Sequence, residues 1–243
     1  DFVEFAKRED NLHLKITIFR PQQDLVEVFN KKRADISFCS SIVFAKIIST
    51  VAADAKLTVV RSKKTFYKSA IIAHIDSNIK KIEDIEGKNM AFVSPESASG
   101  YLVPKLLLDQ RKITVKDIAF VGSHSIIPEV VYKKHFDAGA TFFDDGDPAL
   151  ISDGRSLIKD KFPDILDKVK IIETSGEIPN DPFLFHKELN SNLTNRFITI
   201  LKRYLTRYGK KNKFMVYFNF DEVRTADTDY YRDFAKLIKS AEN

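Results

Sequence analysis

Small and hydroxyl-bearing residues crowd one short stretch, Ala91-Phe92-Val93-Ser94-Pro95-Glu96-Ser97-Ala98-Ser99-Gly100-Tyr101. An apolar run ends at Val93, and Ser97, Ala98, Ser99 and Gly100 then lead into a helical pattern. Small side chains let backbone N–H groups approach an anion, hydroxyls add donors, and a helix start carries partial positive charge. Pro104 agrees with a helix beginning close by, because proline is tolerated in a first turn. The bland alternative is that Ser97 merely caps that helix, and the stretch taken alone favours capping. A second turn of the same kind, Val121-Gly122-Ser123-His124-Ser125, follows a strand-like run and opens another helix. A histidine placed there can donate to a phosphate-like oxygen.

Catalytic signatures are missing from the same residues. No G-x-S-x-G elbow surrounds Ser97 or Ser99, no H-E-x-x-H occurs, and no P-loop lysine follows Gly100. A Ser97, Asp117 and His124 set can be assembled on paper, but residues this common give it almost no specificity. The five histidines (13, 74, 124, 135 and 186) are dispersed and lack metal-ligand spacing. The acidic run from Asp144 to Asp153 misplaces the glycine and the closing Glu of an EF-hand loop, so Asp145 and Asp147 read as a solvated turn.

The elements that must position these turns alternate along the chain. Phe2, Phe5 and Ala6 have helical spacing, and Leu12–Phe19 alternates apolar and polar residues as a strand does. Leu25–Phe29 reads as helix, Ala34–Phe38 as strand, Phe44–Ile48 as helix and Leu57–Val60 as strand. The middle repeats the arrangement: strands at Ser69–His74, Asn89–Val93, Ile118–Val121, Asp137–Phe143 and Lys168–Glu173, with helices between them. A long helix over about 191–208, a hairpin-like Phe214–Phe218 and a terminal helix from about Tyr230 close the chain. That order predicts an α/β fold with mostly parallel sheets, whose strand C-termini line one edge where ligands bind.

Composition sets outer bounds. The 243 residues are 44% hydrophobic and 30% charged, which suits one large or two modest α/β domains and excludes disorder and collagen. Lys and Arg number 39 against 34 Asp and Glu, a net +5 scattered over the sequence rather than striped, so nucleic acid is not an expected partner. The single cysteine, Cys39, lies in an apolar run and reads as a small buried residue, leaving no intrachain disulfide. No apolar run reaches membrane-spanning length. The opening Asp1–Phe5 looks like the inside of an amphipathic helix, which leads us to expect further chain upstream, with any signal or anchor in it.

Taken together, Tyr67–Ile72, Asp76-Ser77, Ile82–Lys88, Phe92–Tyr101, Gly122-Ser123-His124, Phe136–Ala140, Ile178–Pro182 and Asp227–Tyr230 resemble the phosphonate-binding proteins of phosphate/phosphite/phosphonate ABC importers. The ordered series is far more specific than any one motif and covers about 24–230. The resemblance implies a type II periplasmic-binding-protein fold: two α/β lobes, residues 1–65 plus 181–243 and residues 66–180, closing over a ligand cleft. Family members begin with one more strand and loop, which we expect to lie upstream of Asp1.

Carried over by position, the ligand oxyanion falls to Ser97, Ala98 and Ser99, with Tyr67 and His124 as further donors. Ala98 stands where the family often has threonine, and Gln22 where it has a tyrosine, so ligand identity is where this chain departs from the family. Aminoalkylphosphonate binders hold the ligand ammonium with two carboxylates, which match Asp144 and Asp181. The implied function is an extracytoplasmic solute-binding component, periplasmic or membrane-anchored (a lipoprotein), that captures a phosphonate such as 2-aminoethylphosphonate, or a related phosphorus oxyanion. Its partners are then the ligand and a transporter permease, the chain is a monomer, and neither metal, cofactor nor enzymatic turnover is required. The alternative on the same fold is the sensing domain of a signalling receptor; a phosphate-ester hydrolase is weaker, for want of a nucleophile or metal cluster.

Overall fold

A computed structural model describes residues 1–18, 25–144 and 152–240. The first stretch of chain holds α1 (Phe2–Asp10), α2 (Leu25–Asn30), β1 (Ile36–Phe38), α3 (Ser41–Ile47) and β2 (Ala53–Val60). The middle holds β3 (Phe66–His74), β4 (Asn89–Phe92), α4 (Val103–Gln110), β5 (Asp117–Phe120), α5 (Ile126–Tyr132), β6 (Ala138–Asp144), β7 (Ser152–Asp153), α6 (Ile165–Lys168), β8 (Val169–Thr174) and β9 (Ile178–Pro179). The last stretch holds β10 (Pro182–His186), α7 (Ser191–Tyr208), α8 (Lys213–Phe218), β11 (Glu222–Thr225) and α9 (Thr228–Ser240). These elements form two compact units, Asp1–Thr65 with Asn180–Asp233, and Phe66–Pro179 with Phe234–Asn243.

Unit one is built on a four-stranded sheet in the order β1-β10-β2-β11, with every ladder antiparallel. This corrects the parallel expectation. The local β-α-β order does make β1 and β2 run alike, but β10, from far along the chain, inserts between them in the opposite sense. Helix α7 buries Phe197, Ile200, Leu201, Tyr204 and Leu205, the i, i+3, i+4, i+7, i+8 face of an amphipathic helix. Phe5 and Ala6 of α1 and Phe183 and Phe185 of β10 share its core. Leu12–Ile18 is not in a strand despite its alternation, and Ile16 and Ile18 stand exposed. Phe214–Phe218 is helical, not a hairpin: Asn212 caps it by accepting the Phe214 N–H at 2.8 Å, and Asn219 ends it with φ 48°. Cys39 is half-buried rather than buried, against the core of Phe44 and Tyr231.

Unit two carries the sheet β5-β4-β6-β3-β8, in which β4 runs parallel to β5 and β6 while β3 is antiparallel to both β6 and β8. The sheet is therefore mixed. Central β3 is buried continuously from Ser69 to His74 because both its faces are covered. Ile71 and Ala73 pack with Met90, Phe92 and Leu108 on one face, and Ala70 and Ile72 pack with Ile127, Val131 and Ile158 on the other. Strands β4, β5 and β6 all end on one edge.

Candidate functional site

That edge collects the turns singled out above. Strand β4 runs into a π-helical turn, Ala98–Leu102, which continues as α4. Its first internal bond runs from the Leu102 N–H to the Ser97 carbonyl, at 2.9 Å. The N–H groups of Ala98 and Ser99 precede that bond and have no acceptor within the helix. Ser97 Oγ accepts the Gly100 N–H at 3.0 Å, so Ser97 is the cap. Capping engages its lone pairs and leaves the hydroxyl proton to donate; cap and anion donor are compatible roles. Gly100 is required here, since a Cβ would stand 2.4 Å from Val93 Cγ2 and 2.7 Å from Ser97 Oγ.

The histidine turn is stitched to the same edge. The N–H groups of Val121 and Gly122 donate to the carbonyls of Phe92 and Val93, both at 2.9 Å, which extends the β4–β5 ladder into the two turns. Gly122 has φ 89°, a left-handed conformation that favours glycine. His124 Nδ1 lies 3.1 Å from Thr141 Oγ1 of β6, and its ring meets Phe142 edge-on at 5.3 Å between centroids. Burial lowers the pKa of His124 to about 4, so the ring is neutral at ordinary pH. Asp117, at the exposed far end of β5, is not its partner.

Two buried side chains tie the turns to the sheet. Ser69 Oγ of β3 donates to the Ser99 carbonyl at 2.6 Å and lies 3.4 Å from the Thr141 carbonyl. Ser175 Oγ accepts the Ser69 N–H at 2.9 Å. Thr141 is fully buried, and the serine turn, Ser69, Thr141 and His124 form one connected set. Neither Ser69 nor Thr141 stood out in the sequence, although a hydroxyl inside an otherwise small or apolar strand run was a usable sign, because a buried polar group must find a partner. Asp144, buried, ends β6, and half-buried Tyr67 lies one residue outward of the Lys68–Phe143 pair on β3. Both therefore stand at this edge.

Asp181 belongs to unit one and is already engaged. Its Oδ2 accepts from Arg61 Nη2 at 2.7 Å and its Oδ1 from the Ser41 N–H at 3.2 Å. Arg61 also reaches Asn180 Oδ1 and the carbonyls of Phe218 and Asn219. Gln22, Asp145 and Asp147 lie outside the described residues. Among the described residues no cluster of three His, Cys, Asp or Glu could hold a metal, and no helix is long and apolar enough to cross a membrane.

The profile of a family described as "ABC transporter, phosphonate, periplasmic substrate-binding protein" matches residues 5–231. A Xanthomonas citri protein bound to ATP is 14% identical with a TM-score of 0.74, over 99% of this chain and 90% of that one. PhnD1 of Prochlorococcus marinus, in complex with methylphosphonate, is 18% identical with a TM-score of 0.64, over 99% and 90%. The periplasmic aliphatic sulphonate binding protein SsuA of Escherichia coli is 13% identical with a TM-score of 0.62, over 98% and 81%. Likeness at such identities establishes the fold, which is that of the periplasmic binding proteins.

Proposed function

The chain belongs to the phosphonate periplasmic substrate-binding proteins of ABC transporters, and from that premise we propose that it captures a phosphonate or closely related phosphorus oxyanion at the β4–β5–β6 edge of unit two. The observation that carries the reading is the serine turn: N–H groups of Ala98 and Ser99 ahead of the first helical bond, flanked by the hydroxyls of Ser97 and Ser99. His124 adds a neutral donor and Tyr67 a phenol from the same edge. Hydrogen bonds to an ionised acceptor are roughly twice as strong as neutral ones, and a half-buried setting strengthens them further.

A simple alkylphosphonate fits this donor set better than an amino-bearing one. An ammonium needs a carboxylate, and Asp181 already holds Arg61 at 2.7 Å. Asp144, the other carboxylate that the family resemblance assigns to the ammonium, ends β6 in unit two. Release of the ligand to a membrane permease, by a monomeric extracytoplasmic binder, completes the proposal.

The test is calorimetric titration with methylphosphonate, 2-aminoethylphosphonate, phosphite, phosphate and sulfate, repeated on Ser99→Ala and His124→Ala. Methylphosphonate is expected to bind, and each variant to weaken it about tenfold while the protein stays folded. Binding unaffected by both variants, or heat from none of the five anions, would sink the assignment. A strong preference for 2-aminoethylphosphonate that Asp181→Asn abolishes would restore the ammonium role to Asp181.

A further inference from the structure

Among the described residues Thr141 is the buried side chain whose hydroxyl meets the histidine of the candidate site, and its surroundings limit what that hydroxyl can do. It sits in β6, between β4 and β3, with no exposed surface. Among the described hydrogen bonds the partner of its Oγ1 is His124 Nδ1, at 3.1 Å. The third wall is Gly154, so close that a Cβ there would stand 2.1 Å from the same oxygen. Gly154 is fixed in turn by its neighbours: the Arg155 fork donates to both oxygens of the Asp153 carboxylate, at 3.0 and 2.7 Å.

Two proton arrangements satisfy the 3.1 Å contact, and they are not equal in energy. If Nδ1 carried the proton and donated to Oγ1, the buried hydroxyl hydrogen would be left without an acceptor among the described residues. A buried unsatisfied donor costs about 1–3 kcal/mol. If the hydroxyl donates to a bare Nδ1, every proton in the contact is used, and what remains is a spare lone pair on oxygen, a smaller loss. Which ring nitrogen of a neutral histidine holds the proton is set by the bond its other nitrogen makes.

We propose that Thr141 is a positioning residue that holds His124 in the Nε2–H tautomer, which makes a neutral histidine an N–H donor towards a bound oxyanion. The wrong tautomer would present a lone pair to the anion instead, turning attraction into repulsion. Thr141 touches no ligand in this scheme; it acts only through the ring. Its importance for ligand affinity rests on the reading of His124 as a ligand donor, whereas its control of the tautomer does not.

The experiment separates the two. Two-bond nitrogen–proton correlation NMR at pH 7.5, on the ligand-free full chain, reports which nitrogen of His124 is protonated. Wild type and Thr141→Ser are expected to show Nε2–H, and Thr141→Val to show a mixture or Nδ1–H. Calorimetry with methylphosphonate is expected to give about tenfold weaker binding for Thr141→Val, with Thr141→Ser restoring most of it. A wild-type Nδ1–H spectrum, a Thr141→Val spectrum like wild type, or a Thr141→Ser protein that behaves like the valine variant would overturn the inference. A changed tautomer with unchanged affinity would uphold the control of the tautomer and overturn the role of His124 as a ligand donor. Should Thr141→Val fail to fold, the wild-type and serine spectra still decide. Failure of wild type to bind methylphosphonate would count against the ligand reading and leave the tautomer measurement standing.

Discussion

Gly154→Ala puts the packing around this threonine under direct strain. The new Cβ would stand 2.1 Å from Thr141 Oγ1, 2.9 Å from Thr141 Cβ and 3.0 Å from the His124 carbonyl oxygen. Neither side gives easily. Strand β6 is held by ladders to β4 and β3, and residue 154 is gripped between Asp153 and Arg155, whose buried ion pair also ties to the Val169 carbonyl at 2.8 Å. Forcing atoms into a packed site costs about 1–3 kcal/mol, and a clash between two anchored backbones belongs at the upper end. For a chain of this length about 3 kcal/mol lowers the melting temperature by roughly 6–12 °C. Urea denaturation should show a lower midpoint with an unchanged slope. Thr141→Ala in the same background removes the oxygen at 2.1 Å but keeps the contact at 2.9 Å, so it should recover part of the loss, a coupling of about 1 kcal/mol. A Gly154→Ala protein as stable as wild type, or costs that simply add with Thr141→Ala, would refute the packing argument.

Two further predictions concern the same shell. Burial holds the folded pKa of His124 at about 4 against 6.5 for an ordinary histidine, so between those values the unfolded chain binds the extra proton. Stability from this group is complete above pH 6.5 and falls towards pH 4, by up to about 3 kcal/mol; urea midpoints should show a steeper acid loss for wild type than for His124→Gln, and identical slopes would refute it. Ser69→Ala removes the donor to the Ser99 carbonyl at 2.6 Å and should cost about 1–3 kcal/mol in urea denaturation, together with weaker methylphosphonate binding; a variant unchanged in both would show that Ser69 does not anchor the turn.

The sequence made the local elements and the two turns readable, because each rests on short-range rules. Apolar spacing marked α7, small residues and Pro104 marked the turn into α4, and Gly122 marked the entry to the histidine turn. Pairing between distant segments was another matter. Nothing near Ile36 or Leu57 says that Pro182–His186 will lie between them, yet that insertion makes the unit-one sheet antiparallel. Phe214–Phe218 misled for a related reason: its aromatic content favours a strand, and the two asparagines that bracket it as a helix are weak signs until their bonds are seen. Arg61 looked like one basic residue among many, because its partners Asp181, Phe218 and Asn219 are over a hundred positions away.

The same contrast explains which parts of the site escaped the sequence. Residues that would face a ligand stood out by type and place together, as serines, a glycine and a histidine at two turns that each follow a strand, although each type also serves as an ordinary cap or turn residue. The residues that hold them, Ser69, Thr141 and the Asp153–Arg155 pair, sit inside strand and turn segments where type alone says nothing. What distinguishes them is burial combined with complete hydrogen bonding: Ser69 is linked on both its N–H and its hydroxyl, and the carboxylate of Asp153 meets a two-pronged guanidinium. Each such group has lost its water and recovers that cost only in one geometry. A core of the same volume made from alanine and valine would pack as well without fixing where Ser99 or His124 points. The polar groups buried beneath this edge are therefore better explained by the orientation they impose on the turns than by any stability they add.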